Sequence, residues 1–460
     1  MNDIQGKGRR NFLKTTGLAT AGMLLTPFNA TTFAAGNSHV HQPAILGGTP
    51  IRTKEWPGWP IWNKDTDEQL VVDNLRSGVW SRAARVNEFE EKWGKETGTK
   101  RCLSVVNGTN ALITSLLQMN IGGGDEVIVP VYTFIATVSA VLATGAIPVF
   151  VDTDMDTFQI DTTKIEAKIT SRTRAIVPVH ILGMPCDMVQ ITKIARKHSL
   201  VVIEDACQAH FAEIDHKRVG SFGDAGCFSF QNSKNLAIGE GGAITSNNDA
   251  FMDRCYSYHN YGNPYGALVG NVNAGTVMAG SKLRWTEYQA AIGLVQLKRL
   301  EAQTEQRNTN AALLRGKMMG IPGIIPYKLY DNVTRAAFHL FAFRYKKEEF
   351  SNLPRAGFIE AMKAEGIPCM EGYSPLNKMP YLANTFRSKN YKKMYSAKDL
   401  DIDAYNNRNE CPKNDQLCKE EAVWIFHSVL LAGKEEMNDI SNALEKVHAN
   451  ADEIKKSIKS

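Results

Sequence analysis

Two side chains placed beside apolar runs carry most of the chemistry this sequence offers. Val201, Val202 and Ile203 lead into Glu204-Asp205, and a carboxylate at the carboxyl end of a parallel strand faces the crevice where α/β proteins bind ligands. Further along, Lys234 stands between an apolar strand and the run Gly239-Glu240-Gly241-Gly242. Desolvating a lysine lowers its pKa and exposes a neutral amine, which is what condensation with a carbonyl requires. A lone lysine is ordinarily a solvated surface group, so the case rests on its companions. Asn107-Gly108-Thr109-Asn110-Ala111-Leu112 lies between an apolar run, Leu103–Val106, and a helical pattern. Gly108 admits close backbone approach, Thr109 is expected to cap the helix, and the turn offers N–H donors and a hydroxyl to a phosphate. Tyr132-Thr133-Phe134 sets an aromatic face at the same edge.

These groups need a scaffold that brings strand ends together. From about residue 100, short β-branched runs (Glu126–Val131, Ile147–Asp152, Arg174–Val179, Leu200–Glu204, Cys227–Phe230, Ala243–Thr245) alternate with helical stretches such as 109–119, 134–144 and 187–198. That alternation predicts an α/β fold with a mostly parallel sheet covered on both faces. Residues 285–301 carry apolar positions at helical spacing and read as a long buried helix. Residues 37–65, rich in Pro, Gly and Trp, form an irregular lead-in. The expected division is a large domain over 37–310 and a smaller α+β domain over 311–460, hinged near Gly320–Pro322.

Composition agrees with a globular enzyme-sized chain: 460 residues, 43% hydrophobic and 22% charged, which excludes a disordered chain, a collagen or a coiled coil. The net charge of +5 includes Lys7, Arg9, Arg10 and Lys14 against Asp3 at the N-terminus; the remainder is close to balanced and gives no reason to invoke nucleic acid. Eight cysteines without a CxxC pair argue against a zinc site. Cys411 and Cys418 are either a disulfide formed after export or two free thiols. Residues 1–36 read as a twin-arginine signal peptide: Arg9-Arg10-Asn-Phe-Leu-Lys14, a short apolar stretch, then Thr32-Phe33-Ala34-Ala35. The expectation is a chain exported already folded, to the periplasm or its equivalent, by the twin-arginine machinery.

A phosphate cradle, an aromatic face, a strand-end Asp and a downstream Lys, in that order, are what a fold-type I pyridoxal-phosphate enzyme requires. The Asp keeps the pyridine nitrogen protonated and the Lys holds the aldehyde as an imine. The order and spacing resemble the DegT/DnrJ/StrS aminotransferase family of sugar and cyclitol biosynthesis. The matching stretches are Asn107–Leu112, Thr133–Thr137, Ala146–Asp152, Glu204–Ala209, Gly223-Asp224, Ser229–Gly242 and Glu287–Leu297. Gly47-Gly48-Thr49-Pro50, Trp59-Pro60, Gly372–Leu376 and Glu421–Trp424 look most like the branch of inosose aminotransferases.

The resemblance implies a seven-stranded large-domain sheet and a role for each residue. Lys234 would bond the cofactor and shuttle the proton; Asp205 would pair with the pyridinium nitrogen, and Gln208 would reach the 3-hydroxyl. Phe134 would stack on the ring, and Gly108, Thr109 and Ser229 would hold the phosphate. It also implies an amino acid donor (glutamate or glutamine), a keto sugar or keto cyclitol acceptor, ping-pong turnover and a homodimer. Two motifs depart from the family. Gly280-Ser-Lys282-Leu-Arg284 has Lys282 where an Asn usually reaches the partner's cofactor phosphate, a role the lysine would fill as a point charge. Pro375-Leu376-Asn377-Lys378 lacks the usual His after Pro-Leu. These departures motivate a competing reading, a binding or sensory protein on the same fold; binding alone does not need Lys234, so the lysine favours the enzyme. A nucleotide-binding dehydrogenase is disfavoured because no GxGxxG opens a helix after a strand.

Overall fold

The computed structural model describes residues 42–267 and 274–458; the expected signal, residues 1–36, lies outside them. Seven strands form the large sheet: β1 (Arg101–Val105), β2 (Glu126–Pro130), β3 (Ile147–Val151), β4 (Thr173–Ile176), β5 (Val201–Asp205), β6 (Ala225–Ser229) and β7 (Gly242–Ser246). Their order is β1-β7-β6-β5-β4-β2-β3. The β2–β3, β2–β4, β4–β5 and β5–β6 pairs are parallel, while β7 runs against both of its neighbours. Every residue of β2 and β3 is buried, as expected for β-branched runs covered on both faces.

Alternate residues of the strands feed two cores. Val127 and Val129 face one with Leu112, Val138 and Phe251; Ile128 faces the other with Phe89, Trp93 and Leu294. In the second core the Trp93 ring meets Phe228 and Phe230 edge-on and stacks on Phe211, with centroids 5.1, 5.0 and 5.7 Å away. Trp93 and Phe89 lie on the helix α1 (Ala84–Thr97). The helices α2 (Gly108–Gln118) and α3 (Ile135–Ala143) follow β1 and β2.

The long helix α4 spans Glu287–Met318, and it starts on a capping box in which Thr286 and Gln289 bond reciprocally. It outruns the expected stretch 285–301 because its second half buries polar residues, Gln303, Thr304, Arg307 and Asn310, which hide the apolar period. Asn310 Nδ2 donates to Leu430 O and Ala432 O, both at 2.9 Å, and Thr304 Oγ1 to Leu300 O at 2.8 Å. The helix therefore crosses residue 310 unbroken. Its early residues Ala290, Leu294 and Leu300 pack under the large sheet. Its later residues Ala311, Leu314 and Met318 pack against a second, four-stranded sheet, made of β8 (Ile324–Pro326), β9 (Leu340–Tyr345), β10 (Cys369–Glu371) and β11 (Ala422–Phe426) in the order β8-β9-β11-β10.

Residues 376–411 leave the small sheet and pack back on the large one, with Phe386, Tyr391, Tyr395 and Tyr405 in the core of Val127 and Phe150. Tyr405 Oη donates to Pro148 O at 2.7 Å, Tyr391 Oη to Ala146 O at 2.9 Å, and Asn409 Oδ1 accepts from Phe150 N at 2.7 Å. The cysteines are free thiols. Cys411 Sγ lies 3.5 Å from Asn409 O, and Cys418 Sγ 3.4 Å from Asn414 Oδ1, so the disulfide alternative gives way to two buried, separately satisfied thiols.

Trp93→Ala should empty the ring cluster and lower stability by about 3–5 kcal/mol. Urea unfolding followed by fluorescence should show this as an earlier midpoint.

Candidate active site

The strand-end carboxylates divide their work by the alternation of β5. Glu204 is fully buried and accepts from the backbone N–H groups of Gly220, Phe222 and Gly223 at 2.7–2.8 Å. It also meets His180 Nε2 at 3.0 Å. The Cys186 N–H donates to His180 Nδ1 at 3.2 Å, so the proton on Nε2 points at Glu204. Glu204 is thus a structural anchor, clamping the strand end to two loops. Asp205, on the opposite face, is 5% exposed. Its Oδ2 accepts from Thr137 Oγ1 at 2.8 Å and its Oδ1 from Cys207 N at 3.2 Å. Thr133 Oγ1 lies 2.9 Å from Thr137 Oγ1, extending the hydroxyl chain along α3. Each carboxyl oxygen of Asp205 therefore has a donor from the protein.

Lys234 lies in the turn after β6, where its N–H donates to Gln231 O at 2.8 Å. Burial pushes the amine's pKa down, against the opposing influence of Cys207 and Asp205. Nζ makes no hydrogen bond or ion pair among the described residues. A desolvated amine near a carboxylate, and not locked into a salt bridge with it, is chemically available.

The turn before α2 has a different cap from the one expected. Asn107, not Thr109, caps α2: its Oδ1 accepts from Asn110 N at 2.8 Å. An Asn one residue before the helix reaches the third N–H, whereas Thr109 already lies inside the first turn. The Thr109 hydroxyl is thereby released. Among the described residues the N–H groups of Gly108 and Thr109 have no acceptor, and a helix start of this kind suits an anion. A Cβ at Gly108 would stand 2.7 Å from Cys207 Sγ and 2.8 Å from Ser229 Cβ, so glycine is required for Ser229 to close against the turn. Ser229 is itself nearly buried, and its Oγ accepts from Gln231 N at 3.4 Å.

Gln208 is oriented by its neighbours. Its Oε1 accepts from Leu182 N at 2.8 Å, and its Nε2 donates to Tyr373 Oη at 2.9 Å, leaving the second N–H of Nε2 for a ligand. Tyr373 packs edge-on against Trp424 and Tyr132, 4.5 and 5.3 Å between centroids. Phe134, just ahead of α3, is half exposed and presents an uncovered ring. Lys282 stands apart: it is exposed and its backbone bridges Asn260. No hydrogen bond or ion pair joins it to the other candidates among the described residues.

Residue types alone did not disclose Thr137, the donor to Asp205. The only signal was its spacing of one helical turn from Thr133. The His180–Glu204 clamp left no sequence signal, since its members are 24 residues apart.

Residues 63–429 match the model of the DegT/DnrJ/EryC1/StrS aminotransferase family. The L-glutamine:2-deoxy-scyllo-inosose aminotransferase of Streptomyces paromomycinus is 33% identical over 427 residues, covering 88% of this chain and 97% of that protein. The spore coat polysaccharide biosynthesis protein SpsC of Bacillus subtilis (strain 168) is 36% identical over 350 residues, covering 75% of this chain and 87% of its own. The crystal structure of 3-amino-5-hydroxybenzoic acid synthase superposes with a TM-score of 0.75 at 30% identity, covering 87% of this chain and all of that one. With a lysine, a carboxylate and an anion cradle converging at the strand ends and this breadth of likeness, the chain belongs to the DegT/DnrJ/EryC1/StrS aminotransferase family and is a pyridoxal-phosphate-dependent transaminase.

Proposed function

We propose that the protein moves the amino group of glutamine or glutamate to a keto cyclitol or keto sugar, with Lys234 as its catalytic base and point of cofactor attachment. The carrying observation is the Lys234 amine, desolvated and unpaired beside Asp205. The residues fit pyridoxal phosphate. The Gly108 turn, which tolerates no Cβ, would hold the phosphate with Thr109 and Ser229. Asp205, held in place by Thr137 Oγ1 and Cys207 N, would hold a proton at the ring nitrogen. Gln208 would direct its remaining N–H to the 3-oxygen, and Phe134 would cover a ring face. When bound, the cofactor supplies the electron sink for charge developing at the substrate α-carbon. Lys234, its pKa pushed down by burial, would take the α-proton and return it one atom away. The family relatives named for L-glutamine and an inosose support the substrate class.

Purified holoprotein should absorb visible light, and borohydride should fix the cofactor on Lys234, as peptide mapping would show. Lys234→Ala should lose transamination by at least about a thousandfold; undiminished activity would end this reading. Asp205→Asn should lower kcat by about a hundredfold or more, since the amide cannot keep the ring nitrogen charged.

Pairing of two chains belongs to the same proposal. Val79, Trp80, Tyr261 and Val277 are each at least half exposed. Their segments are joined through the Ser81–Thr286 and Asn260–Lys282 bridges, which puts Lys282 on the same surface. A second copy covering this surface would bring Lys282 toward the partner's cradle. Sedimentation should give a dimer, and a fully active monomer would overturn this part.

Export by the twin-arginine route is proposed from residues 1–36. Among the described residues no helix is long and apolar enough to cross a membrane. Changing Arg9 and Arg10 to lysine should retain the protein inside cells.

A further inference from the structure

The turn bearing Lys234 is gripped from several directions. Trp59 Nε1 donates to Asn232 O at 3.1 Å, Asn235 Nδ2 to Ala337 O at 2.8 Å, and His427 Nε2 meets Ser233 O at 3.0 Å. The last contact falls one residue before the lysine. The other ring nitrogen of His427, Nδ1, lies 3.2 Å from Arg307 Nη2. A guanidinium only donates, so Nδ1 must accept. The ring is therefore neutral, its proton sits on Nε2, and that proton points at Ser233 O. Donor inventory alone fixes the direction of the chain from Arg307 through His427 to the carbonyl.

Arg307 is the unusual member. It lies in the middle of α4 and is completely buried, yet no carboxylate pairs with it among the described residues. Its Nε and Nη1 have no hydrogen-bond partner there; what faces it is the Trp59 ring, 5.3 Å from the guanidinium carbon, and His427. A buried cation without a counter-ion is costly. Burial alone pulls this one down to about 9. His427, His339 and His210 are likewise held neutral by burial and by the charges of Lys234 and Arg307. Asp205 and Cys207 favour the charged form of Lys234, against the effect of its burial.

We propose that Arg307 and His427 are positioning residues for Lys234: the pair aims the lysine turn through the Ser233 carbonyl. The inference rests on Lys234 being the residue that bonds the cofactor.

The test uses full-length protein stripped of cofactor, with trinitrobenzenesulfonate as the amine probe, peptide mapping for the site, and pH as the variable. Arg307→Met removes an uncompensated charge and is expected to fold, checked by circular dichroism. Its plateau rate of Lys234 labelling, and kcat in the loaded enzyme, should fall about tenfold with KM little changed, because His427 loses the donor that holds its ring. His427→Phe severs the aim directly and should give the same loss. His427→Gln, which restores a donor toward Ser233 O, should recover most of that loss. An unchanged plateau in Arg307→Met, or in His427→Phe, with the label still on Lys234, would overturn the inference alone. Borohydride fixing the cofactor to another lysine in wild-type protein would overturn the assignment of Lys234 and the inference with it.

Discussion

A half-buried amine and a buried carboxylate share one crevice without pairing, and the rest of the architecture serves that separation. Asp205 takes its hydrogen bonds from Thr137 and from the Cys207 N–H, so its charge is satisfied without the lysine. Lys234 sits on the next strand's turn with its amine free. Had the two closed into a salt bridge, the amine would be held protonated and the carboxylate occupied, and neither would be available to a heterocycle placed between them.

Keeping the two apart depends on parallel strands. β5 and β6 pair in register, Asp205 beside Cys207's neighbour Cys227, so the loops that follow them open at the same edge. Behind that edge Glu204 binds three backbone N–H groups and His180, which makes the strand end rigid without touching a ligand. The small sheet closes the other side. Tyr373 reaches Gln208, His427 reaches the lysine turn, and both sheets share α4, so the crevice is lined by elements far apart in the chain but fixed to one helix.

The fold and the main site were legible because they follow strict local rules. Wholly apolar β-branched runs between helical periods mark buried parallel strands, and Asp205, Gly108 and Lys234 stand where such strands end. Less was legible where polar atoms do structural work. The second half of α4 was hidden because Gln303, Thr304, Arg307 and Asn310 are inside, and the carbonyls that meet Asn310 are supplied only by the tertiary fold. The helix cap shifted by two residues, from Thr109 to Asn107, because either type can cap and only backbone geometry decides. Residues 376–411 lie between the small-sheet strands β10 and β11 in sequence yet pack on the large sheet, a long-range choice that composition does not encode.

That return crossing has a consequence for the sheet's exposed margin. β3 is the outermost strand on its side, where unpaired peptide groups would invite a foreign strand to dock. Here the phenols of Tyr405 and Tyr391 and the amide of Asn409 occupy the peptide groups of Pro148, Ala146 and Phe150, and Pro148 has no N–H to offer. The rim is thus sealed by side chains from the same molecule, which guards it against intermolecular β-stacking.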